Sequence, residues 1–393
     1  MKTKPLARCG ILLFSLAASV LLGGGEFLLG TCGPFTDTAA DAFCPFILEV
    51  FYLGITTGTT PTTYDPAANV TRTQMAAFLS RTVDRTLGRG SRRAALGQYW
   101  TTQPSGLMAT TVGTGNGAGA LRSDGADVWV ANYADGTVSR VRGSDGKLLE
   151  TWTGAALGRG VLAARGQIVV TGADIPGRLY QIDPRQPAGA VTTAASNLGG
   201  MPHGITFDGG RIWTANFGSG GPDGSVSIVT PGSSIPWTVT TITTGFQSVI
   251  GAIFDGANVW VTDYLPGTLL KLDSAGAILQ TVTVGTSPRY PVFDGSNIWV
   301  PNYISGTVTV VRASTGAVLQ TLTGNGLASP HEASFDGQRI LVTNSFANTV
   351  SLFKAADLSA AGSLVTGGTP LGVCSDGVSF WMALQTAGVI ARF

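Results

Sequence analysis

Two histidines are the only imidazoles in the chain, and both sit in a pattern able to carry chemistry: Met201-Pro202-His203-Gly204 and Ser329-Pro330-His331-Glu332. An imidazole titrates near neutrality and ligates metals. A carboxylate beside it can hold a divalent cation or act as a general base. Each histidine stands five residues before an aspartate that glycine follows, Asp208 and Asp336. The same offset from the sister positions gives Gly119, Gly160, Ile250, Arg289 and Leu371. His203, Arg289, His331 and Glu332 are therefore candidate ligand-binding residues at one level of a repeat.

The repeat must position them. Phe207-Asp208-Gly209, Phe254-Asp255-Gly256, Phe293-Asp294-Gly295 and Phe335-Asp336-Gly337 share one grammar, with Ser123-Asp124-Gly125, Ser375-Asp376-Gly377 and Arg165-Gly166 as variants. Five residues after each anchor stands a large apolar residue: Trp129, Val170, Trp213, Trp260, Trp299, Leu341 or Trp381. Asn132, Asn216, Asp263, Asn302 and Asn344 follow three residues later, and then a Gly-Thr-Val type strand. Four short β-rich runs in about 40–45 residues make one blade of a β-propeller. Asp-Gly between two runs is a hairpin signal, because glycine takes positive φ without steric cost.

Seven anchors predict seven blades. The last repeat shows three strands, ending at Phe393, and a lone β-like segment, Leu107 to Val112, precedes the first repeat. Pairing the two would close the ring and remove an exposed sheet edge. In such a ring the histidine positions begin the innermost strands and line one mouth of the central channel. Tyr133, Phe217, Tyr264 and Tyr303, just after the second strands, are expected at a propeller face and offer a binding surface.

Composition narrows the function classes. Charged residues are 12% of the chain, about half the roughly 25% of soluble domains. A net charge of +1 predicts no nucleic-acid or membrane-surface binding. With the aromatics inside blades, no nucleic-acid stacking surface is expected. Lys2, Lys4 and Arg8 precede the apolar run Ile11 to Leu22, the layout of a signal peptide over residues 1–31 rather than a transmembrane span. In an exported chain Cys32 and Cys44 can form one disulfide, while Cys374 reads as a small buried hydrophobe. No Gly-x-Ser-x-Gly elbow, phosphate loop, His-Glu-x-x-His or Cys-x-x-Cys is present.

Residues 32–88 form a separate small helical module. Pro45 opens one helix, and Thr71-Arg72-Thr73-Gln74 is a capping box opening a second, whose apolar face would be Met75, Phe78, Leu79 and Val83. Phe35-x-Asp37, Leu53-Gly54-Ile55-x-x-Gly58, Tyr64-x-Pro66 and Val70-Thr71-Arg72-x-Gln74-Met75 together resemble an S-layer homology module. The resemblance implies attachment to the cell envelope through wall polysaccharide or peptidoglycan, with Arg72 gripping an acidic group of that polymer. Residues 89–106, with Arg89, Arg92 and Arg93, read as a linker.

The propeller, residues 107–393, is similar to streptogramin B lyase-like and YVTN-type surface propellers. It carries their Phe-Asp-Gly-x-x-Ile-Trp-Val-x-Asn-Tyr, Gly-Thr-Val and Thr-Gly-x-Val-Leu-Gln-Thr runs. In the lyases, histidines and a glutamate near the mouth bind magnesium and open an ester ring by elimination. His203, His331 and Glu332 are the residues resembling that set. The lyase pattern has its histidines in adjacent blades, with a glutamate two positions before the second. Here they lie three blades apart, and Ser329 stands at the glutamate position. The sequence thus describes a mainly β, exported, envelope-attached seven-bladed propeller. It is read as a binding or scaffold protein for an unidentified ligand or partner, needing no cofactor. The alternative is a magnesium-dependent carbon–oxygen lyase acting at the mouth.

Overall fold

A computed structural model describes residues 34–38, 44–52, 55–79 and 110–393. The expected signal peptide, the linker over 89–106 and the Cys32 half of the expected disulfide lie outside the described residues. The chain divides into two compact units, residues 1–100 and 101–393.

In the first unit, helix α1 (Cys44–Tyr52) packs on a core around Phe35, which is fully buried. Its ring meets Phe51 edge-on at 5.1 Å and Tyr64 at 5.4 Å. Asp37 accepts hydrogen bonds from the backbone N–H groups of Tyr64 (2.9 Å) and Asp65 (2.7 Å), so the first motif is tied to the third. Gly58, at φ 78°, sits where a Cβ would strike the Phe35 ring. Helix α2, over 72–79, opens on the capping box. The Thr71 N–H donates to Gln74 Oε1 (2.9 Å), and the Gln74 N–H donates to Thr71 Oγ1 (3.2 Å). The expected apolar face of α2 departs from the sequence reading. Met75 and Leu79 are 47% and 60% exposed, because this unit closes its core around Phe35, Ile47, Phe51 and Tyr64 instead.

The second unit is seven four-stranded antiparallel sheets. Six use four consecutive strands. The seventh takes Pro370–Ser375, Phe380–Leu384 and Val389–Arg392 from the end of the chain and Thr110–Gly113 from its front. That front strand pairs antiparallel, Thr110 opposite Arg392 and Gly113 opposite Val389. First strands of neighbouring blades pack on one another around the axis. The ring is a seven-bladed β-propeller.

The repeated aspartate has a specific structural role. In five blades its Oδ2 accepts the indole N–H of the tryptophan five residues on, at 2.7–2.8 Å: Asp124–Trp129, Asp208–Trp213, Asp255–Trp260, Asp294–Trp299 and Asp376–Trp381. Its Oδ1 accepts backbone N–H groups of the turn, as from Ala257 and Asn258 to Asp255. The five tryptophans are at most 1% exposed. A buried indole N–H left without an acceptor costs about 1–3 kcal/mol, so the aspartate lets the blade core use tryptophan. Blade six carries Leu341 there, and Asp336 instead holds Arg339 at 2.8 Å. The asparagine ending the second strand staples the third: Asn302 donates to Thr307 Oγ1 (3.0 Å) and Thr309 Oγ1 (2.9 Å), and Asn132, Asn216 and Asn344 do the same.

Candidate functional site

The starts of the first strands converge on a cavity of about 70 Å³. Its lining holds all four residues selected from sequence: His203, Arg289, His331 and Glu332. Arg122, Arg159, Tyr133 and Tyr290 join them.

Threonines of the second strands hook the neighbouring blade at this level. Thr171 Oγ1 donates to the His203 carbonyl (3.2 Å), Thr262 Oγ1 to the Arg289 carbonyl (2.8 Å) and Thr343 Oγ1 to the Leu371 carbonyl (2.7 Å). Gly160 occupies the sister position of His203, and a Cβ there would come within 2.3 Å of the His203 carbonyl. Glycine at this level therefore allows blades two and three to close.

Blade five departs from its sisters in a way that builds the site. Its first strand is reduced to Val292–Phe293. Pro288 and Pro291 bracket Arg289-Tyr290, and neither proline has a ladder donor. The segment leans onto blade six. The Tyr290 N–H donates to the His331 carbonyl and the Ala333 N–H to the Tyr290 carbonyl, both at 3.2 Å. Tyr290 thereby stands between the two histidines. Its hydroxyl shares a hydrogen bond of 3.2 Å with His203 Nδ1, and its ring lies 5.2 Å from that of His331. Residues three blades apart are linked through one phenol.

Aromatic rings and cations alternate around the mouth. Phe217 stacks on His203 at 5.6 Å with 17° between planes. The Arg159 guanidinium lies 4.1 Å from the Tyr133 ring centre. Arg289 lies between Tyr303 (4.4 Å) and Tyr264 (5.4 Å). The four aromatics selected from sequence thus hold the cations and one imidazole in place.

Electrostatics follow from this arrangement. Burial, reinforced by Arg159 and Arg289, holds the His203 pKa down to about 3. Burial and then Arg289 do the same for His331, to about 3. Burial lifts Glu332 to about 7, against the pull of Arg122 at 3.5 Å. The histidines are neutral at physiological pH, and Glu332 is the only acid in the lining.

This donor set does not fit magnesium, which favours several oxygen ligands. The one carboxylate is engaged by Arg122, and Arg159 and Arg289 repel a dication. Among the described residues no group of three or more His, Cys, Asp or Glu side chains is placed to hold a metal ion.

Arg122, Arg159 and Tyr290 were not singled out in the sequence. Arg159 immediately precedes the repeat position held by Gly160, and Tyr290 immediately follows Arg289. Neighbours of the histidine position were the available signal. Arg72 of the first unit is exposed on the first turn of α2. Cys374 is a free thiol, 3% exposed, whose pKa burial pushes far upward.

The second unit is a seven-bladed β-propeller. Residues 34–76 match the S-layer homology domain, which implies a cell-envelope-associated protein. No curated protein matches the chain by sequence. Solved structures share the propeller. The WD40 β-propeller domain of Doa1 superposes with TM-score 0.60 at 15% identity, covering 74% of this chain and 97% of that one. Virginiamycin B lyase from Staphylococcus aureus gives 0.59 at 16% identity, covering 72% and 97%. A streptogramin B lyase gives 0.56 at 16% identity, covering 72% and 94%. These likenesses describe the fold. No helix among the described residues is long and apolar enough to cross a membrane.

Proposed function

We propose that this protein is exported, held on the cell envelope by its S-layer homology domain, and binds a ligand or partner at the propeller mouth without cofactor or catalysis. The observation that carries the reading is the lining of the mouth: neutral histidines, unpaired arginines and aromatic rings around one cavity, downstream of an envelope-attachment domain. The domain boundaries proposed are 32–88 for the module and 107–393 for the propeller. Arg72 is the residue that grips wall polysaccharide or peptidoglycan, and its exposure leaves the guanidinium free to reach an acidic group.

One expected result tests the envelope half. The full chain co-sediments with isolated cell-wall sacculi, and Arg72→Ala releases a large part of it at low salt, a difference that shrinks as salt rises, since an exposed charge contact is screened. The propeller alone stays in the supernatant. Equal sedimentation of the propeller alone would remove the anchor assignment.

A second reading, a carbon–oxygen lyase, is favoured by one observation: Glu332, lifted to about 7 beside His331, is poised near neutrality as a general base. Against it stands the cationic lining, which disfavours the magnesium that the lyase alternative needs.

A further inference from the structure

Three guanidinium groups line the mouth against a single carboxylate. Arg122 is taken up by Glu332. Arg159 and Arg289 make no ion pair among the described residues, and the Nε of each is buried with no hydrogen-bond partner. Other arginines packed against the blades have partners: Arg140 has Asp127 at 2.6 Å, Arg211 has Asp208 at 2.9 Å, Arg339 has Asp336 at 2.8 Å, and Arg392 donates to the Gly143 and Ser144 carbonyls. His203 Nε2 is likewise buried and unpartnered. Buried polar groups are normally satisfied, and each exception calls for an explanation. Tyr133 lies over Arg159, and Tyr264 and Tyr303 flank Arg289, ring contacts that supply no oxygen acceptor to either guanidinium. A guanidinium edge matches the two oxygens of an oxyacid group.

The surroundings of the mouth add an apolar element. Leu265, Ile304 and Phe346 lie two residues past the ends of the second strands of blades four, five and six, and Ile175 lies in the equivalent loop of blade two. They are 49%, 64%, 82% and 65% exposed respectively. These loops leave the same end of the blades as the cavity. Four of the seven loops on the face where the cationic well opens thus carry an exposed apolar residue.

Resting on the reading of the mouth as a binding site, we infer that its ligand is an anion: an oxyacid group held by the edges of Arg159 and Arg289, on an apolar body that lies against the loop tips. The chemistry is that of a hydrophobic carboxylate or sulfonate, not of a cation or a metal ion. Two guanidiniums without an acid partner among the described residues favour it, because an anion supplies the oxygens that their N–H groups lack.

The experiment uses the only two imidazoles as reporters, since both line the cavity. Full chain labelled at histidine is titrated with benzoate, benzenesulfonate, benzamide and benzyltrimethylammonium, and the ring signals are followed by NMR. Benzoate and benzenesulfonate are expected to shift both histidines saturably, while benzamide and the ammonium do not. Arg159→Gln and Arg289→Gln should each weaken benzoate at least about tenfold, the loss of one charge-assisted contact. Their thermal midpoints should be little changed, because each removes a half-buried cation that has no ion pair among the described residues. Benzamide binding as tightly as benzoate would overturn the anion inference and leave the mouth a general ligand site. No saturable shift with either anion would overturn it as well. A lowered midpoint with benzoate affinity unchanged would assign the arginines a structural role instead.

Discussion

Removing residues 107–113 lowers the thermal midpoint of the propeller by about 10 °C or more, the consequence of losing several kcal/mol in a unit of this size. The comparison is with a chain shortened only to residue 91, which retains the strand. Thr110–Gly113 is the outer strand of blade seven, paired over its whole length with Val389–Arg392. Val112 is buried in the cluster of Ile390, Cys374 and Trp381, which also reaches Leu121 and Val128 of blade one. Its removal costs about 1.5–3 kcal/mol in lost burial. It also strips the ladder hydrogen bonds and leaves Val389–Arg392 as a bare edge, a site for pairing with another chain. Loss of the whole module before residue 91 touches none of this pairing. Equal midpoints for the two truncations would contradict the closure by the front strand.

Glutamine at position 332 makes the protein more acid-sensitive, in a pH range where Glu332 offsets part of the natural chain's loss. His203 and His331 are held near 3 in the folded state against an ordinary 6.5. Their depressed pKa values contribute stability above 6.5, and that stability is lost as pH falls toward 3. Glu332 runs the other way. Its folded value near 7 against an ordinary 4.5 contributes stability in full below 4.5 and loses it as pH rises through 7. Between pH 6.5 and 4.5 the two effects oppose. Two histidines lose stability over that interval, and Glu332 regains about half as much. The natural chain should therefore fall in urea midpoint from pH 7 to 4.5, with part of the loss offset. Glu332→Gln, which cannot take up the compensating proton, should fall about twice as steeply across the same interval. Parallel pH profiles for the two proteins would show that the mouth groups do not titrate as described.

Much of the fold could be read in the sequence because each blade repeats the same local decisions. The Phe-Asp-Gly turn, the tryptophan five residues later and the asparagine after it mark the strands. The indole bond explains why the aspartate and tryptophan come at that interval. The capping box at Thr71 and Gln74 was equally legible, since its partners are three residues apart. The site was legible as a level of the repeat and not as a constellation. His203 and Tyr290 are 87 residues apart in sequence and meet only because the ring closes and blade five bends at its two prolines. Arg159 lies at the start of a first strand and Arg122 near the end of one, but no local pattern separates a paired from an unpaired guanidinium. The exposed face of α2 was misread for a related reason. Apolar spacing shows which residues share a face, and only packing shows whether Met75 and Leu79 are covered.

The central claim is that the mouth binds and does not catalyse. Its most direct test is incubation of the purified protein with a cyclic depsipeptide ester and magnesium, followed by mass analysis of the ester. The ring is expected to stay intact, because Glu332 is the only carboxylate in the lining, is engaged by Arg122, and shares the cavity with two further cations. A linear product that forms with the natural chain and disappears with His203→Ala or His331→Ala would contradict the account and establish the lyase.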